Sequence, residues 1–242
     1  MTTPTQYQDR KGIQPRTSFA TVLVGQKEEK LTVHEELLTF HSPYFRAALT
    51  GGFREAQDKT VTLKEEKGRI FEFFVHWLYY LRFPNKDDSA ELYAAWTADN
   101  DYGDLKTENL IQLYVFCDKY NVPELKTKTM TEIFNHVEED DGEALPSVDL
   151  IRFAFDNLPE HAPLCSYLVH AYCYWAQDFI WEDFGSVDWP SGFIGRVLAR
   201  YSAFARGDLT RDDFNSPCDY HEHQSVTDRT ACEAKQREEE EL

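Results

Sequence analysis

The sequence predicts an α+β fold: a small sheet flanked by helices, followed by an all-helical C-terminal extension. Three observations predict it. Short apolar runs at residues 22–24, 31–33 and 61–63 are β-branched-rich or alternate with period two, as strands with a buried face do. From Ile70 the apolar spacing changes to three- and four-residue steps, the spacing of a helix with one buried stripe. Beyond residue 147 the apolar stripes keep that helical period to about residue 205.

Taken in order, Val22, Leu23 and Val24 form the first run, Gly25 ends it, and Leu31, Thr32 and Val33 return as a partner strand after a polar connection. A short helix opens at 34–38, and Ser42-Pro43 starts another. A serine hydroxyl can accept a free helix N–H, and proline suits the first helical position. Tyr44, Phe45, Ala48 and Leu49 are expected to share its buried face. Gly51-Gly52 is expected to stop it through a left-handed turn, which glycine adopts without steric cost.

Val61 and Leu63 then point one way from a half-buried strand, and Ile70, Phe71, Phe74, Trp77, Leu78 and Leu81 stripe the helix expected at the buried centre. Residues 82–103 lose periodicity and read as an insertion, in which Leu92, Tyr93 and Trp96 can form a helical turn or more. Leu110, Leu113, Tyr114 and Cys117 start a helix pair that breaks at residues 121–123 and continues through Leu125, Met130, Ile133, Phe134 and Val137. The acidic run after it interrupts all apolar patterning. The expected organisation is therefore a flexible N-terminus at 1–17, a first domain at 18–137, an acidic linker at 138–146, a helical extension at 147–205 and a disordered acidic tail at 206–242.

Composition narrows the function. The chain has 242 residues, 42% of them hydrophobic, and a formal net charge of −18, with a pI near 4.8. Such a balance argues against nucleic acid and anionic membrane as direct partners, because both select clustered Lys and Arg. Residues 1–17 lack the apolar core of a signal peptide, and no apolar run approaches a membrane span. Five scattered cysteines without a C-x-x-C pair fit a reducing compartment, cytoplasmic or nuclear, and most read as small core hydrophobes.

The order V-L-V-G, L-T-V-H, H-S-P-Y-F-R-A-A-L and F-R-E, continued by Val61-Thr62-Leu63, residues 71–79 and residues 109–125, resembles a BTB/POZ domain. The phrase at 145–164 resembles the segment C-terminal to that domain in fungal-type members. This resemblance implies a non-enzymatic interaction module with protein partners. A homodimer is one such association, and a cullin scaffold, bound by a substrate adaptor of a cullin-RING ubiquitin ligase, is another. Family members that bind a cullin carry an apolar residue, any residue and glutamate after the helix-ending glycines, and Phe53 and Glu55 occupy those positions. In that role Phe53 is a pocket-filling anchor and Glu55 a hydrogen-bond acceptor. Alternatively, Phe53 folds back onto the helix of Tyr44 and Phe45. Dimeric members that regulate transcription carry an acidic residue at the start of the first strand, whereas Phe19-Ala20-Thr21 has none.

Local catalytic motifs do not occur: there is no G-x-S-x-G, no phosphate-cradling glycine loop and no H-E-x-x-H. His34 and His41 read as structural histidines near helix starts. Cys218, His221 and His223 supply three metal-ligand types, but a zinc site needs a fourth ligand from an ordered element, and the surrounding tail offers no core. They are expected to be solvated, so neither a metal nor a cofactor is expected.

Overall fold

The computed structural model describes residues 18–97, 104–139, 144–175, 188–210 and 216–240. They belong to two compact units, Met1–Pro84 with Lys119–Pro123, and Asn85–Asp118 with Glu124–Leu242.

The first unit is built on a three-stranded sheet in the order β2-β1-β3. Strand β1 (Phe19–Val24) pairs antiparallel with β2 (Glu29–His34), placing Ala20 opposite Val33 and Val22 opposite Leu31. On its other side β1 pairs in parallel with β3 (Thr60–Leu63), placing Val22 opposite Val61 and Val24 opposite Leu63. Alternation decides which face is inside: Ala20, Val22, Val24, Val33, Val61 and Leu63 are all buried. Gly25 makes the turn after β1 with φ +74°, and its N–H donates to the Leu63 carbonyl at 2.9 Å. A parallel pair needs a long crossover, and helices α1 (Glu35–His41), α2 (Pro43–Thr50) and α3 (Arg54–Asp58) supply it.

Ser42 caps α2 as its sequence position implies, accepting from the Phe45 N–H at 3.1 Å. The same hydroxyl donates to the Tyr120 carbonyl at 2.6 Å, so the cap also anchors residues 119–123 within this unit. Only Phe45 and Leu49 of the four expected face residues are fully buried; Tyr44 is exposed, its ring edge-on to Tyr120 at 5.0 Å. Helix α4 (Gly68–Tyr80) buries Ile70, Phe71, Phe73, Phe74, Trp77 and Leu78. Its expected last apolar position, Leu81, lies outside the helix in the left-handed region and donates to the Trp77 carbonyl at 2.7 Å.

Helices make up the regular structure described in the second unit. The 82–103 segment contains α5 (Ala90–Thr97), with Trp96 buried. Asn109 closes its C-terminal end by donating to the carbonyls of Ala95 and Trp96 at 2.9 and 3.1 Å. In α6 (Leu105–Lys119) every residue from Asn109 to Cys117 is buried, so the helix is enclosed on all sides rather than along one stripe. Next come α7 (Pro123–Glu139), α8 (Val148–Asn157), α9 (Pro163–Trp175) and α10 (Ser191–Arg206), the last ended by Gly207 at φ +75°. Residues 140–143 of the expected linker lie outside the described residues, as do residues 1–17.

The expectation of an unstructured 206–242 is corrected in part. A 3-10 turn (Pro217–Tyr220) and α11 (Val226–Glu240) form there. The turn buries Cys218 and Tyr220, and the Tyr220 ring meets those of Tyr167 and Phe134 at 5.1 and 6.1 Å.

Asp104 starts α6 by accepting from the Lys106 N–H at 2.8 Å and the Thr107 hydroxyl at 2.7 Å, and it pairs with His136 of α7. Burial alone would raise its pKa, but the hydrogen bonds from His136 and Thr107, the His136 charge and the Lys106 N–H together lower it to about 2. A carboxyl depressed in the folded state stabilises the fold above its unfolded pKa, and that contribution is lost as pH falls through the folded value. Asp104→Asn is therefore expected to cost about 1–2 kcal/mol at neutral pH, with the difference from wild type shrinking between about pH 4 and pH 2. Urea unfolding midpoints across that range check it; a gap that is independent of pH would contradict it.

Candidate functional site

The connection from α2 to α3 carries the two residues singled out by sequence. Gly51 ends α2 with φ −78°, so a left-handed turn is not the reason for glycine here. The reason is space: a Cβ at Gly51 would stand 2.4 Å from the Ala47 carbonyl oxygen and 3.3 Å from the Phe53 ring. Phe53 adopts extended backbone as the residue preceding α3, and its side chain lies over Gly51.

Phe53 is 64% exposed, the largest exposure among the aromatic residues described. Its ring therefore does not fold back into the core beneath α2. Glu55 lies in the first turn of α3 and is exposed. Tyr44 of α2 is close enough to feel it: its hydroxyl pKa is raised first by burial and then by the Glu55 charge, with Lys119 opposing. Phe53, Glu55 and the 40%-exposed Tyr44 thus belong to the α2–α3 region of the first unit.

Lys59 holds this region in place. Its ammonium group donates to the buried Glu35 carboxylate at 2.6 Å and to the Leu49 carbonyl at 2.9 Å, while its own carbonyl accepts from the Thr21 N–H at 2.8 Å. One residue in the left-handed region, at φ +48°, thereby joins α1, the end of α2 and β1. The connection between α2 and α3 thus presents an aromatic side chain without sinking it.

Elsewhere the groups that could carry chemistry are structural. His34 Nδ1 lies 2.6 Å from the Tyr79 hydroxyl, and His41 is buried edge-on to Trp77 at 4.8 Å. Burial pushes the Cys117 thiol well up and those of Cys165 and Cys173 up to about 11, which disfavours the thiolate that a nucleophile requires. Cys218, expected to be solvated with His221 and His223, is instead buried and the two histidines half-buried, and Cys232 of α11 joins them. No sequence signal links Cys232 to the other three. Among the described residues, no helix is long and apolar enough to cross a membrane.

A family model described as the BTB/POZ domain matches residues 14–136, just over half of the chain. No curated protein matches the sequence.

Proposed function

The chain belongs to the BTB/POZ domain family, a family of protein-interaction domains, and we propose that it works without catalysis by associating with another protein chain, its own copy included. The observation that carries this reading is Phe53: an aromatic ring left 64% exposed on the connection between α2 and α3, whose far ends Lys59 ties to α1. Exposed aromatics on well-ordered backbone are the usual anchors of protein interfaces. The acidic balance of −18 favours a partner with a basic contact face.

A second reading is narrower, that the partner is a cullin scaffold and the chain a substrate adaptor. What favours it is that Phe53 and Glu55 are both exposed on the same turn, as an apolar anchor and a nearby acceptor must be. The helices after residue 147 then present the surface available to a substrate. Affinity capture of the full chain from a lysate, read by mass spectrometry against a bait-free control, tests both readings. Recovery of a second tagged copy or of a stoichiometric heterologous protein supports association. Recovery of a cullin supports the adaptor role, and recovery of neither contradicts the proposal.

A further inference from the structure

We propose that Cys218, His221, His223 and Cys232 form a zinc-binding site that fastens the C-terminal segment to α7. The ligand atoms of these four residues all lie within 4.8 Å of one another. A tetrahedral zinc ion, about 2.3 Å from sulfur and about 2.0–2.1 Å from nitrogen, sets neighbouring ligands roughly 3.3–3.8 Å apart. His221 Nδ1 and Cys232 Sγ already stand 3.3 Å apart, so ordinary side-chain rotation of the others closes the tetrahedron. Two thiols and two imidazoles are a borderline-soft set that suits zinc better than calcium or magnesium, which take oxygen ligands.

The surroundings orient the His221 imidazole. The Thr131 hydroxyl donates to the Thr127 carbonyl at 3.3 Å, which leaves its oxygen to accept from His221 Nε2, 3.0 Å away. A proton on Nε2 places the lone pair of His221 on Nδ1, the atom beside Cys232. For His223 the arrangement is reversed. Nδ1 faces the Asp228 carboxylate at 3.7 Å, while Nε2 is buried with no hydrogen-bond partner. A buried ring nitrogen without a partner is costly, and a metal ion accounts for it. A hydroxyl that accepts from the outer nitrogen, as Thr131 does for His221, is the usual second layer of a zinc site, and the Asp228 carboxylate lies 3.7 Å from the outer nitrogen of His223.

The 3-10 turn and α11 bracket the ligands. Ser216 caps the 3-10 turn that carries Cys218, accepting from the Cys218 N–H at 3.3 Å. Arg229 of α11 reaches Asp219 at 2.5 Å and Glu233 at 2.8 Å, which brings Cys232 over the turn. Lys126 of α7 meets Glu222, between the two histidines, at 2.7 Å. Zinc binds cysteine as the thiolate and histidine as the neutral imidazole, so loading the site releases the thiol protons.

The site also gives this segment an anchor that its own core does not. Among the side chains described at 216–237, only Cys218 and Tyr220 are buried, too little apolar area to offset the ordering of the chain. A metal staple supplies what the core lacks.

The test uses the full chain purified under reducing conditions. Equimolar zinc after dialysis, and the intense visible bands of tetrahedral, thiolate-bound Co2+ when the chelator-stripped chain is titrated with cobalt, are expected. Cys232→Ser and His223→Gln should each lower the bound zinc more than tenfold, while Cys173→Ser, away from the cluster, leaves it unchanged. Thr131→Val should weaken zinc about tenfold in a chelator competition, the usual effect of losing an outer partner. The cobalt spectrum of the wild type decides by itself if a variant fails to fold. Absence of zinc uptake, weak octahedral cobalt bands, equimolar zinc retained by Cys232→Ser, or a Cys218–Cys232 disulfide in the freshly reduced chain would each overturn the proposal.

Discussion

Trp77→Ala is expected to lower the unfolding free energy by about 3–5 kcal/mol, the range for deleting a large aromatic from a well-packed core. The indole is fully buried in α4, edge-on to His41 at 4.8 Å, and its neighbours on the helix, Phe73, Phe74 and Leu78, are buried too. Phe74 in turn stacks on Phe45 of α2 at 5.9 Å, so the surroundings are held from two helices and cannot collapse freely into the space left. The indole N–H makes no hydrogen bond among the described residues, so truncation removes packing without stranding a polar partner. Urea midpoints measure the effect, and a loss below about 1 kcal/mol would show that the ring contributes little to the core.

Phe53→Ala should have the opposite profile. Because the ring is 64% exposed, its removal should leave the unfolding midpoint within about 0.5 kcal/mol of wild type. On the adaptor reading the same change should weaken a cullin by about 2 kcal/mol or more, roughly thirtyfold in Kd, as truncating an anchor does. Glu55→Ala, also exposed, should spare folding and weaken the same complex, and the double variant should show less than the sum if ring and carboxylate act on one partner pocket. Isothermal titration paired with urea unfolding separates the cases. A stability loss of about 3 kcal/mol from Phe53→Ala would make it a core residue and any loss of binding secondary.

The sheet and α4 are legible in the sequence because each buries a regular fraction of its residues. Val22, Val61 and Leu63 announce themselves by alternation, and Phe71, Phe74 and Trp77 by helical spacing. Helix α6 is only half legible, since a stripe cannot be read where Ile111, Val115 and Phe116 are as buried as Leu110 and Leu113. Ser42 is visible as a cap, but its bond to Tyr120 spans 78 positions and has no local trace. The end of α2 falls where the glycines predict it, for a different reason: Gly51 answers to the Ala47 carbonyl, a close approach within the folded chain.

Phe53 and Glu55 can be picked out only through the family pattern, because a single exposed aromatic has no periodicity to betray it. Lys59, which ties the far ends of α2 and α3 to α1, looks like any surface lysine until Glu35 and Leu49 are placed beside it. Cys232 is hidden for a related reason. It lies on a helix with almost no apolar face, and the spacing C-x-x-H-x-H, then eight residues and a cysteine, matches none of the common zinc patterns.

Association with a protein chain is the central claim, and molar mass in solution tests it most directly. Light scattering of the purified chain across a wide concentration range, alone and mixed with the protein recovered by capture, gives that mass without a label. The expected result is a species heavier than the 28.3 kDa of one chain, either twice that mass alone or the summed mass of a complex in the mixture. A mass fixed at 28.3 kDa in both experiments, at every concentration, would contradict it.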